Sequence, residues 1–123
     1  MRSLHSGDVT ISEVVLEGAE GVRMGVLLAE EQGAPNFRMR LFEVGPGGKT
    51  PYHQHNWEHE VFVLEGEGFS VDAEKKKHAI GPGSVVFVPP NEFHNFTNPG
   101  EKPLRFLCLV PTDEVCEWRE QGS

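Results

Sequence analysis

Residues 47–66 read GGKTPYHQHNWEHEVFVLEG, and the eight of them at 53–60, HQHNWEHE, hold three histidines and two glutamates. Imidazole is the commonest metal-binding side chain, and carboxylate is the usual hard partner in a non-haem site. Along a strand, residues two apart point to the same side, so His53 and His55 can converge on one point. The strand-like segment that follows has two alternate sets, His59 with Val61 and Val63, and Glu60 with Phe62 and Leu64. A third segment, PPNEFHNF at 89–96, supplies His94 between Phe93 and Phe96. Histidines at this spacing on neighbouring strands point to a single metal site.

The flanking sequence reads as all-β. Fourteen glycines and nine prolines separate short apolar or alternating stretches. Strands are predicted over 9–15, 23–29, 37–44, 50–55, 59–66, 68–73, 78–80, 84–90, 92–98 and 103–110. Tight turns are expected at GPGG (45–48), GPG (81–83) and NPG (98–100). Only PTDEVCEW, from 111, looks helical, with Thr112 as a cap, acidic residues in its first turn, and Val115 and Trp118 on one face. The run EKKK at 74–77 is expected as a solvated hairpin tip. His5 and His78 lack ligand-spaced neighbours and read as surface histidines.

The chain of 123 residues is expected to form one domain with its own core. Its net charge of −8 opposes non-specific attraction to nucleic acid or an anionic membrane. No apolar run has transmembrane length, and the start, MRSLHSGDVT, lacks a secretory signal. Two cysteines, Cys108 and Cys116, imply no disulfide framework. A reducing cytoplasm is therefore the expected compartment. Cys108 lies in an apolar run and is expected as a buried thiol.

Two motifs resemble the cupin superfamily. Residues 47–66 match its first motif, a glycine, five residues, HxH, three or four residues, a ligand, six residues and a glycine. From Gly83, GSVVFVPPNEFHNFTN resembles the second motif, ending in His94 and Asn98. Asn91 stands where that motif usually has glycine, and asparagine tolerates the left-handed turn better than most residues. The resemblance implies a double-stranded β-helix, or jelly-roll barrel, over 1–123 with a short C-terminal helix. Six residues separate His59 from Gly66, which puts His59 where many cupins carry glutamate. Small prokaryotic cupins with four histidine ligands and an HPWEHE-like motif are the nearest pattern, with Asn56 here in place of the proline. The implied ligands are His53, His55, His59 and His94, with Glu60 as runner-up.

Such a set implies one divalent transition metal, Mn or Fe first, with Ni, Cu or Zn compatible. Four neutral imidazoles leave the ion's charge uncompensated, which favours a small anionic or enolisable substrate. The expected function is a metal-dependent oxidoreductase of dioxygenase type. The alternatives are a non-redox isomerase or lyase, and a non-catalytic binding module. Glu58 or Glu60 could orient a histidine from behind. For the pocket wall, Leu104, Phe106, Cys108 and Val110 share one face of their strand, and Arg38, Arg40 and Phe42 share one of theirs. Phe106 is a pocket or core residue, Arg40 an anion anchor or surface ion-pair partner, and Trp57 an entrance cover or gap filler. A homodimer through the first thirty or so residues is also expected, as in similar cupins.

Overall fold

The computed structural model describes residues 1–112. Its strands are β1 (Ser12–Glu13), β2 (Glu20–Leu28), β3 (Phe37–Lys49), β4 (His59–Glu65), β5 (Gly68–Val71), β6 (Lys77–Ile80), β7 (Val85–Val88), β8 (Asn95–Thr97) and β9 (Leu104–Pro111). They form one curled antiparallel sheet in the order β6-β5-β8-β3-β9-β4-β7, with β2 on the other edge of β3 and β1 on β2. This is the all-β barrel expected from the sequence. Among the described residues no helix is long and apolar enough to cross a membrane.

The long strand β3 organises the site. Its first part pairs with β9, from Phe37 opposite Pro111 to Val44 opposite Leu104, and its last residue, Lys49, pairs with Thr97 of β8. Between these pairings the chain runs through GPGG, where the strand changes neighbour. Gly48 is required there, because a Cβ would lie 2.5 Å from the Glu20 carbonyl oxygen and 2.9 Å from that of Gly45. Asn98 fixes the bend from the other side. Fully buried, it donates through its amide to the carbonyls of Val44 (2.9 Å) and Lys102 (2.7 Å), and its Oδ1 accepts from the Gly100 N–H (3.1 Å).

Strand parity follows the alternation in the sequence. On β9 the buried set is Leu104, Phe106, Cys108 and Val110; on β4 it is His59, Val61 and Val63. The register places Arg40 opposite Cys108 and Phe42 opposite Phe106, so these β3 side chains join the inner face. The outer face carries an ion-pair ladder, Arg23–Glu43 (3.3 Å), Glu43–Arg105 (3.6 Å) and Arg105–Glu65 (3.2 Å), which crosses β2, β3, β9 and β4. Such exposed pairs each contribute little.

Four expectations need correction. GPGG makes no tight turn, because 45–48 lie within β3, which runs on to Lys49. Residues 50–55 form no strand, and only one isolated bridge joins His53 to His94. Of 9–15 only Ser12–Glu13 is strand; Ile11 packs so closely on Gly25 that a Cβ there would lie 2.8 Å from the Ile11 Cγ2, and Val14 turns toward the barrel. Pro111 belongs to β9, and the Thr112 hydroxyl donates to the Pro35 carbonyl (3.0 Å). The rest of the expected helix, with Cys116, lies outside the described residues. The 74–77 run does lie at the β5–β6 hairpin tip, where Asp72 Oδ1 accepts from the backbone N–H groups of Glu74 and Lys76 (2.9 Å each).

Candidate metal centre

His53 and His55 converge without a strand to carry them. The His53 N–H donates to the His94 carbonyl (3.1 Å), the His94 N–H donates back (2.9 Å), and the Asn91 N–H donates to the His55 carbonyl. The HxH segment is thus pinned to the turn that presents the fourth histidine. Asn91 has φ +64°, the left-handed conformation expected of that turn position. His59 arrives from the start of β4 and is 6% exposed. Ring centroids are separated by 4.2 Å for His53–His55, 5.2 Å for His53–His94, 5.2 Å for His55–His59 and 4.9 Å for His59–His94.

Hydrogen bonds set which ring nitrogens face the centre. His94 Nδ1 lies 2.9 Å from the Glu92 carbonyl oxygen, an acceptor only, so Nδ1 carries the proton and Nε2 a free lone pair. His59 Nδ1 lies 3.3 Å from Cys108 Sγ, and its Nε2 is buried with no partner. His53 and His55 approach through Nε2 at 3.2 Å. Among the described residues no group of three or more His, Cys, Asp or Glu is already arranged to hold a metal ion. What the rings share is a neutral state. Burial, then the charges of neighbouring rings and Arg40, lowers His55 from 6.5 to about 4 and His59 to about 3. Burial first also lowers His53 and His94.

The rings open onto a cavity of about 460 Å³. Its far wall is aromatic: Phe106 stacks on Phe42 (5.4 Å, 13°) and lies against Phe96 (4.8 Å). Phe106 is therefore both barrel core and cavity wall. Trp57 lies flat on His55 (4.5 Å, 5°) and lines the same cavity. Arg40 also lines it, with Nη2 3.2 Å from Cys108 Sγ, its guanidinium over the Phe42 ring, and Nε buried without a partner. The surface ion-pair alternative for Arg40 is thus set aside. Cys108 is buried as expected, and burial raises its thiol despite the opposing Arg40 charge.

Glu58 and Glu60 lie elsewhere, lining an outer hollow with Phe37 and Leu109. Nδ1 of His59 and His94 is engaged by a sulfur and a carbonyl, so the carboxylate expected behind a histidine is replaced by these two groups. The isolated histidines stay outside the cluster: His78 pairs with Asp72 (2.9 Å), and His5 Nδ1 accepts from the Gly7 N–H (2.9 Å). Sequence reasoning missed Val14 and Leu16 as cavity-lining residues. The predicted strand over 9–15 took in Val14 and stopped before Leu16, and nothing local signals that the chain folds over the rim.

Residues 40–110 match the family described as Cupin domain, and the chain belongs to it. The polyketide cyclase RemF from Streptomyces resistomycificus is similar in structure (TM-score 0.85, 37% identity, 90% of this chain and 79% of that one). The oxalate-binding protein of Thermotoga maritima is 32% identical over 87% of this chain and 91% of its own length. The 1-methylthio-D-xylulose 5-phosphate methylsulfurylase of Rhodospirillum rubrum is 36% identical over 58% of this chain. The chain spans 46% of that enzyme's length. These names differ in chemistry on a shared barrel, so the site must supply the function.

Proposed function

We propose that this cupin binds one divalent transition metal through His53, His55, His59 and His94 and acts on a small, acidic β-dicarbonyl-type compound without net oxidation. The carrying observation is the buried, unpartnered Nε2 of His59 among three other imidazoles held neutral in one cavity. Neutral imidazole is the ligand form, and Mn²⁺, Fe²⁺ or Zn²⁺ suits such donors. When bound, such an ion supplies Lewis acidity to neighbouring carbonyl oxygens. Arg40, which lines the cavity, brings its guanidinium charge to an oxygen that gains negative charge, and Phe42, Phe96 and Phe106 hold the carbon skeleton away from water. Among the described residues no carboxylate lines the cavity, which suits a substrate acidic enough to need no strong protein base. Similarity to a polyketide cyclase and an oxalate-binding protein agrees with enolisable and anionic ligands.

The oxygenase chemistry expected from the sequence is the second possibility. The cavity lining favours it: an aromatic wall with no carboxylate among the described residues also suits oxygen attack on an enol. One experiment separates the two. The protein is loaded with Mn²⁺, Fe²⁺ or Zn²⁺ and given a β-dicarbonyl panel under air and under argon. Equal metal-dependent turnover in both atmospheres is expected. Turnover only under air, with matching oxygen uptake, transfers the assignment to an oxygenase. A protein that takes up no stoichiometric metal sinks both. We infer also that the chain assembles as a two-fold dimer, which keeps its exposed apolar strands from solvent.

A further inference from the structure

We propose that Cys108 is a positioning residue, whose sulfur holds His59 in the tautomer that frees Nε2 and steadies Arg40 beside it. The assignment rests on the four-histidine site proposed above. Cys108 sits on the inner face of β9, opposite Arg40 of β3 and Val61 of β4, so the sheet register brings its sulfur between both functional strands. Its Sγ lies 3.2 Å from Arg40 Nη2 and 3.3 Å from His59 Nδ1.

Arginine can only donate, so the sulfur accepts at that contact. At His59 two arrangements are chemically open. If Nε2 carried the ring proton, a buried N–H would be left with no acceptor. If Nδ1 carries it, that N–H donates to Cys108, and the unpartnered atom is a bare acceptor. Buried orphan donors are rarer than under-satisfied acceptors, which selects the Nδ1–H form. That form presents the lone pair a metal takes, as backbone or carboxylate partners do for other ligating histidines. Here a sulfur fills that place. The same sulfur engages one arm of Arg40, whose Nε is buried without a partner. A serine oxygen would sit closer to its Cβ and reach both donors less well, while a valine would keep the volume and remove the acceptor.

The test uses metal-free protein first. Long-range ¹H–¹⁵N NMR of the imidazole nitrogens should show His59 as the Nδ1–H tautomer in the wild type. Cys108→Val should move it toward Nε2–H, and Cys108→Ser should restore part of the Nδ1–H signal. Titration with Co²⁺, followed by visible absorption, should show affinity lowered tenfold or more in Cys108→Val and partly recovered in Cys108→Ser. A wild-type His59 in the Nε2–H form overturns the assignment, and so does a folded Cys108→Val with unchanged tautomer and Co²⁺ affinity. If Cys108→Val does not fold, the wild-type tautomer alone decides. Failure of the ligand set is distinguishable, since His59→Ala would then leave Co²⁺ affinity intact while the wild-type tautomer stands.

Discussion

His59 and Glu60 are chain neighbours that face opposite sides of β4, one buried among imidazoles and the other in an outer hollow beside Glu58. That contrast yields the first prediction. His59→Ala should lower the affinity for Mn²⁺ or Co²⁺ by tenfold or more, whereas Glu60→Gln should leave it unchanged, both measured by calorimetric titration. The reverse pattern would mean that the carboxylate, and not the imidazole, is the ligand. At this scale the sequence was informative wherever a period of two applied: His59, Val61 and Val63 face inward together, as do Phe106 and Cys108. It was silent on contacts made across the barrel. Cys108 meets Arg40 and His59 from 68 and 49 residues away, and no local pattern encodes a sulfur placed between two donors.

Turns, more than strands, hold the site at the level of elements. Asn91 keeps a left-handed conformation while its N–H donates to the His55 carbonyl, so one residue both turns the chain and fixes the HxH segment. Asn91→Ala should therefore cost about 1 kcal/mol, and Asn91→Gly little or nothing, by denaturant unfolding. Equal stability of the alanine variant would show that the left-handed turn is not needed. Gly66 is more restrictive. It has φ +84°, and a Cβ there would run into the Pro103 carbonyl, so Gly66→Ala should cost roughly 2–4 kcal/mol. A loss below about 1 kcal/mol would mean that the 103–104 backbone gives way freely. Asn91 was legible as a turn position because its residue type is conformationally selective. Residues 50–55 were misread as strand because alternation looks the same in a segment held by a single bridge. The N-terminal rim was misread because its apolar residues pack on Gly25 and the cavity, contacts that alternation does not specify.

Surface and protonation act on the molecule as a whole. Phe62, Val85 and Phe87 on the outer faces of β4 and β7 are 46%, 74% and 56% exposed, and Phe62 lies directly opposite Val85. Val15 and Leu16 form a second exposed apolar group in the N-terminal segment where the dimer was expected. Light scattering at micromolar concentration should give a dimer mass; Phe87→Lys and Val15→Lys, made separately, should locate its interface by which one yields a monomer. A monomeric wild type would remove the assembly. Acid should act through the site itself. Folded His59 and His55 take up protons only near pH 3 and 4, whereas the unfolded chain binds them near the ordinary 6.5. Between those values the unfolded state holds more protons, so stability is full above about 6.5 and falls as pH drops through this window. His53 and His94 are lowered too and add in the same direction. For His59 alone, going from pH 7 to 5 removes about 2 kcal/mol, or roughly 5–10 °C of melting temperature for a chain of this size. The eight-unit excess of acidic over basic residues opposes this by shedding repulsion. Carboxylates, however, protonate mainly near pH 4, so the interval from 7 to 5 belongs to the histidines. Scanning calorimetry of metal-free protein should show the melting temperature falling across that interval, and His59→Gln should flatten the slope. A wild-type melting temperature constant from pH 7 to 5 would mean that these imidazoles are not held neutral by the fold.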